Sequence, residues 1–160
     1  IKHEKKLEIK KKMKFTDVNG IEINPFSYTL QIIEKSPDVK IHVGTDSQSE
    51  NNQTKFITAI AYRYDRRGVH YIFSKTNSPK IKNLWNRLFK ETELSLSIAE
   101  KLKNKLNVSL EIDMDYNENE NFFSNKLVPF AKGWANSLGY KVNIKPNEQI
   151  ATSAADYHTR

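Results

Sequence analysis

Ile41-His42-Val43-Gly44-Thr45-Asp46-Ser47-Gln48 carries apolar side chains at every second position, continuing from Val39, and then turns to a glycine and an aspartate. Period-two alternation predicts a strand over about residues 39–44 whose end presents the Asp46 carboxylate. One aspartate at a strand end is ordinary. Three more acids, Glu91, Asp113 and Asp156, fall where a single α/β arrangement gathers them beside it.

Upstream, Phe15 to Gly20 reads as a turn-rich lead-in, and Asn24-Pro25 as a helix start. Phe26, Leu30 and Ile33 have helical spacing, and Ser36-Pro37 ends that helix. Ser47 to Gln53 is polar and reads as a loop. Phe56 to Tyr62 is nearly continuous apolar, the pattern of a central strand covered on both faces. Asp65-Arg66-Arg67-Gly68 is a hairpin signal leading to a third strand over Val69 to Lys75.

The longest helical pattern is Asn83 to Lys105, with Leu84, Leu88, Ile98 and Leu102 on one stripe. It serves as the crossover to a fourth strand, Val108 to Asp113, which is therefore parallel to an earlier one. Phe122 to Leu138 predicts another helix stopped by Gly139; Tyr140 to Ile144 is a fifth strand, and a last helix begins near Glu148. Three antiparallel strands followed by helix–strand–helix–strand–helix is the layout of an RNase H-like domain. The expected fold is α/β, a mixed five-stranded sheet (three antiparallel strands plus two parallel) flanked by helices.

Within that layout the four acids converge. Adjacent strands lie about 4.8 Å apart, so Asp46 and Asp113 on neighbouring parallel strands can share one divalent ion. Glu91 lies in the first half of the crossover helix, on the stripe that faces the sheet; Glu93 competes, but its stripe also holds Glu100. Asp156 sits on the final helix, and Asp115 is an auxiliary ligand or a loop residue. An oxygen-only ligand set selects Mg²⁺ or Mn²⁺. Two such ions about 3.5–4 Å apart activate a water and stabilise the leaving oxygen of a phosphodiester. Each acid singly is also accounted for by an Asx turn, a strand terminator or an exposed helix position. The joint placement carries the inference.

Val43-Gly44-Thr45-Asp46-Ser47-Gln48, Glu91-Thr92, Glu111-Ile112-Asp113 and Ala151-Thr152-Ser153-Ala154-Ala155-Asp156-Tyr157-His158-Thr159-Arg160 resemble the YkuK-like family, bacterial proteins of RNase H-like fold. The resemblance spans roughly residues 26–160. It implies that fold and a nuclease-type acidic site at Asp46, Glu91, Asp113 and Asp156. Asp115-Tyr116-Asn117 departs from the glycine-bearing turn expected after the fourth strand.

Composition sets the bounds. The 160 residues suffice for one domain with a core, and no apolar run approaches the roughly 18 residues of a membrane span. The start is polar and shows no secretory pattern. With no cysteine, disulfides, thiol nucleophiles and cysteine-bound zinc are excluded, and a reducing cytoplasm is the expected location. The net charge is +7, of which residues 1–14 carry +5 through seven lysines against Glu4 and Glu8. That arm either binds phosphates or is a solvated terminus, ahead of a single domain over residues 15–160.

Ser47, Gln48, Lys145 and Arg160 flank the acids and are candidate substrate contacts. The four histidines show no metal-ligand spacing; His42 reads as a packed or surface residue, and His158, two residues past Asp156, either approaches the site or lies at the surface. Asp113-Met114-Asp115 mimics a phosphatase Asp-x-Asp nucleophile, but too little chain follows it for that fold. Two function classes follow: a Mg²⁺- or Mn²⁺-dependent nuclease acting on RNA, DNA or a hybrid, or a non-catalytic nucleic-acid-binding or protein-interaction module.

Overall fold

The computed structural model describes residues 13–65, 68–117, 124–145, 147 and 149–160, so all of the basic arm except Met13 and Lys14 lies outside the described residues. The elements in chain order are strands β1 (Phe15–Thr16) and β2 (Glu22–Ile23), helix α1 (Pro25–Lys35), and strands β3 (Lys40–Glu50), β4 (Gln53–Tyr64) and β5 (Gly68–Pro79). Then come helix α2 (Leu84–Leu106), strand β6 (Glu111–Asn117), helix α3 (Ser124–Ser137), strand β7 (Lys141–Lys145) and helix α4 (Ala151–Thr159).

All strands join one sheet in the order β2-β1-β5-β4-β3-β6-β7. The β3–β4 and β4–β5 pairs are antiparallel, whereas β3–β6 and β6–β7 are parallel, as the crossover helix requires. Among the described residues the sheet has seven strands, not the five expected. The two added strands are only two residues long, too short to show a period. The turn signals between them are correctly placed: Asp17 Oδ1 accepts from the Asn19 and Ile21 amides at 2.9 and 3.0 Å, and Gly20 has φ +82°. What reads as a lead-in is a small hairpin on the edge of β5.

Strand lengths also differ from expectation. The polar stretch after Asp46 is not a loop, since β3 continues to Glu50 and turns on Asn51, with φ 50°, into β4. Likewise β6 runs to Asn117 rather than ending at Asp113. Polar side chains are accommodated in both extensions because cross-strand backbone hydrogen bonds, not apolar burial, hold these strand ends.

The sheet is covered on both faces. On one face β3 presents Val43, β4 presents Ile60 and Tyr62, and β6 presents Ile112, against Leu96, Ile98, Ala99 and Leu102 of α2 and Val128 and Ala131 of α3. On the other face Ile57, Ala59 and Ala61 of β4 pack on Ile150, Ala151 and Ala155 at α4. Because β4 feeds both cores, its sequence is apolar at successive positions. Local signals set the helix ends. Asn24 Oδ1 accepts from the Phe26 and Ser27 amides at 3.0 and 3.2 Å, and Asn83 caps α2 through the Asn86 amide. Asn107, with φ 52°, closes the other end of α2. Among the described residues no helix is long and apolar enough to cross a membrane.

Gly44 is the closest approach between layers. A Cβ there would meet Thr152 Cγ2 at 2.8 Å, the Thr152 backbone nitrogen at 3.0 Å and Ala151 Cβ at 3.1 Å. Only glycine lets α4 lie this near β3. Gly44→Ala is therefore expected to displace α4 and destabilise the chain by roughly 1–3 kcal/mol, each kcal/mol lowering Tm by about 2–4 °C. A thermal melt checks this, and an unchanged Tm would mean that α4 gives way freely.

Candidate active site

The β3–β6 register builds the site. It sets His42 beside Glu111 and Gly44 beside Asp113, all on the face that α4 covers. That pairing ends at Asp113; beyond it, Asp115 lies close enough to Asp46 for its charge to act there. From above, α4 delivers Asp156, whose carboxyl is hydrogen-bonded to that of Asp46. Glu91 arrives from the opposite face on α2. Ser47, adjacent to Asp46 but pointing the other way, donates its hydroxyl to Glu91 Oε2 at 2.5 Å. Two helices thus bring acids to one strand end from both sides of the sheet.

Electrostatics reflect the proximity. Burial raises the Asp46 pKa from its ordinary 3.8 to about 7; the hydrogen bond with Asp156 and the charges of Asp156 and Asp115 add to this, while the Ser47 backbone opposes it. Glu91 is only 4% exposed. Burial lifts its pKa to about 8, the Ser47 hydroxyl and Arg87 pull it down, and the charges of Asp46 and Asp115 push it up. Tyr116 walls this group. Its hydroxyl donates to the Leu88 carbonyl at 3.0 Å, and burial together with the Glu91 charge holds the phenol neutral far above pH 7.

Asp113 is placed differently from its expected role. It is 1% exposed and accepts four hydrogen bonds. His42 Nδ1 at 3.0 Å and Asn143 Nδ2 at 2.9 Å share Oδ1, while the Ile150 and Ala151 amides bond Oδ2 at 2.9 and 2.8 Å. Those two amides belong to the first turn of α4, which has no side-chain cap of its own. Asp113 is thus the cap, supplied from β6. Its lone pairs are spent on these donors, and a second β6 carboxylate, that of Asp115, stands close enough to Asp46 for its charge to be felt there. The Asp-x-Asp spacing, which keeps both acids on one face of a strand, was the signal for this. It is decisive only once β6 is known to continue beyond Asp113.

The other candidates are also placed. Lys145 Nζ lies 2.9 Å from Asp115 Oδ1, and Arg160 Nη2 lies 3.0 Å from Asp156 Oδ2, so each acid on the rim has a basic neighbour. Ser47 serves Glu91, and Gln48 lines a cavity beyond the acids. His158 is partly buried: its ring stacks on Phe73 with centroids 3.8 Å apart and bonds the Tyr71 hydroxyl at 2.8 Å. Glu93 pairs with Lys90 at the surface, leaving Glu91 as the inward acid of α2.

Among the described residues no three His, Asp or Glu side chains, as placed, form a set that would hold a metal ion. The donor chemistry fits a hard cation at a smaller scale. Mg²⁺ takes one or two carboxylates and fills its remaining positions with water and substrate phosphates. The Asp46–Asp156 pair offers two carboxyl groups that must share a proton or a cation to stay in contact.

Asp46 and Glu91 keep a proton when folded that the unfolded chain releases near pH 3.8 and 4.5. Folding therefore takes up protons between about pH 4 and pH 7–8, and stability falls as pH rises through that window. In EDTA, Asp46→Asn is expected to flatten this decline and raise Tm at pH 8 by several degrees, at about 2–4 °C per kcal/mol. Equal melting curves for both proteins at pH 5 and pH 8 would contradict it.

No curated protein and no solved structure matches the chain. The model of one family does, and it spans residues 26–160, from α1 through α4 and across Asp46, Glu91, Asp113, Asp115 and Asp156. With this sheet order and this coverage, the chain belongs to the Ribonuclease H-like family.

Proposed function

We propose that the protein is a divalent-metal-dependent nuclease that hydrolyses phosphodiester bonds at the end of β3, with Asp46, Asp156, Asp115 and Glu91 as its acidic residues. The observation that carries this reading is the hydrogen-bonded Asp46–Asp156 pair, drawn from elements far apart in the chain and flanked by two further acids. Acids crowded at this cost in desolvation and repulsion mark a functional site more often than a structural one.

One or two Mg²⁺ or Mn²⁺ ions, when bound, supply water activation and charge stabilisation at the phosphate. Asp46 and Asp156 would hold the first ion, with Asp115 and Glu91 alongside. Glu91 retains its proton at neutral pH because burial opposes its charge, and nearby positive charge lets it ionise. The Ser47 hydroxyl fixes the orientation of its carboxyl. Lys145 and Arg160 stand at the rim on Asp115 and Asp156. An incoming phosphate backbone offers both cations a second anionic partner.

The test is cleavage of labelled single-stranded, duplex and hybrid substrates in Mg²⁺ or Mn²⁺. Asp46→Asn and Asp115→Asn are each expected to lower kcat by more than the roughly 10–100-fold that loss of an outer-shell partner costs. Neither should lower Tm. Asp113→Asn is expected to show the reverse pattern, destabilising by roughly 1–3 kcal/mol because an amide group replaces an acceptor opposite four donors. If the wild type cleaves nothing, the chain is a binding module on a Ribonuclease H-like fold. If Asp115→Asn cleaves normally while Asp113→Asn keeps its Tm and loses activity, the two roles are reversed.

A further inference from the structure

Beyond the acids, β3, β4 and β5 extend past the end of α4 and leave a cavity of about 420 Å³ on the α4 face. Its walls include Gln48, Glu50 and Asn52 of the β3–β4 hairpin, Lys55 of β4, and Lys75 and Asn77 of β5. The cavity is continuous with the acidic site by register. Asp46, Ile57 and Lys75 form one cross-strand row, and Gln48, Lys55 and Asn77 form the next. Side chains in successive rows of one face are neighbours, so the acids give way directly to a polar surface carrying two lysines.

We propose that this cavity holds the nucleotide of a single polynucleotide strand that lies next to the phosphodiester presented to Asp46. The inference rests on the nuclease reading and names what occupies the surface beside that site. Three observations carry it. Among the described residues neither Lys55 nor Lys75 is ion-paired to a carboxylate, so two ammonium groups line the cavity against the single carboxylate of Glu50. The amides of Gln48, Asn52 and Asn77 each present both donor and acceptor atoms, and the Glu50 carboxylate adds an acceptor. A simple anion would use the lysines and be repelled by Glu50, whereas a nucleotide has a phosphate for the lysines and sugar and base edges for the rest. The volume lies within the roughly 300–1,000 Å³ of small-ligand pockets, which suits one unit of a strand and not a duplex.

Among the described residues the walls contain no aromatic side chain, so the base is held by its hydrogen-bonding edge rather than by stacking. The lysines also have a phosphate to meet at the right end of the cavity. Lys75 shares the row of Asp46, and Lys55 lies one row further from the acids. A strand whose scissile phosphate sits on Asp46 therefore passes its neighbouring phosphate across this pair.

Binding measured without turnover tests the inference. Protein carrying Asp46→Asn, in EDTA, is titrated against fluorescein-labelled short oligo(dT) and oligo(U), with anisotropy read from about 50 to 200 mM salt. Adding Lys55→Ala and Lys75→Ala is expected to weaken binding of whichever strand binds and to reduce the salt slope by about 0.7 for each phosphate no longer neutralised. Lys101→Ala with Lys141→Ala removes the same charge at the opposite end of the sheet and is expected to leave the slope unchanged. A thermal melt of each variant guards against unfolding. Strand binding that is indifferent to Lys55 and Lys75, or equally sensitive to the control pair, would overturn the cavity assignment while leaving the nuclease reading intact. Binding of neither strand at low salt would likewise overturn the cavity assignment, and the nuclease reading would then stand or fall on cleavage of duplex and hybrid substrates alone.

Discussion

The Asp113 carboxylate, bonded at once to β6's neighbours and to the first turn of α4, is the group on which the site depends. A helix N-terminus carries unsatisfied amides and partial positive charge, and an acid from a neighbouring strand satisfies both. The sheet thereby selects where α4 begins. From that anchor, with Gly44 admitting the helix close to β3, the following turns of α4 carry Asp156 over Asp46. His42 and Asn143 complete the network from β3 and β7, so three adjacent strands and one helix meet at a single buried carboxylate.

Above this satisfied network lies an unsatisfied one. Asp113 has four donors; Asp46, one row away, has another carboxyl as a principal partner. The contrast is one of function in the physical sense: a buried acid with donors fastens a structure, and a buried acid against other acids stores unfavourable energy that positive charge relieves. Burial raises both Asp46 and Glu91 into the neutral range, which lets the folded chain tolerate the cluster by retaining protons.

Much of the fold was legible in the chain. The apolar run of β4 follows from burial on both faces, the helical stripe of α2 from its Leu and Ile spacing, and the caps at Asn24 and Asn83 from hydrogen bonds made within a single turn. Local forces dominate there. The edge hairpin of β1 and β2 and the polar ends of β3 and β6 were not legible, because pairing partners on other strands hold them and their own side chains carry no burial signal. That Asp46, Glu91 and Asp156 lie near one another could be read from strand ends and helix faces. The different surroundings of Asp113 and Asp115 could not.

By itself, then, the chain determines which segments are strands and helices at its apolar centre, that the crossover makes β6 parallel to β3, and that acids accumulate at one end of the sheet. Those features depend on periodicity, capping and the handedness of connections, all of which act along the backbone. Only tertiary structure decides which acid of Asp113 and Asp115 fastens α4 and which faces Asp46. The two residues share a strand and a chemical type, and only Asp113 occupies a row paired against β3. That row is fixed by inter-strand hydrogen bonds to residues some seventy positions away.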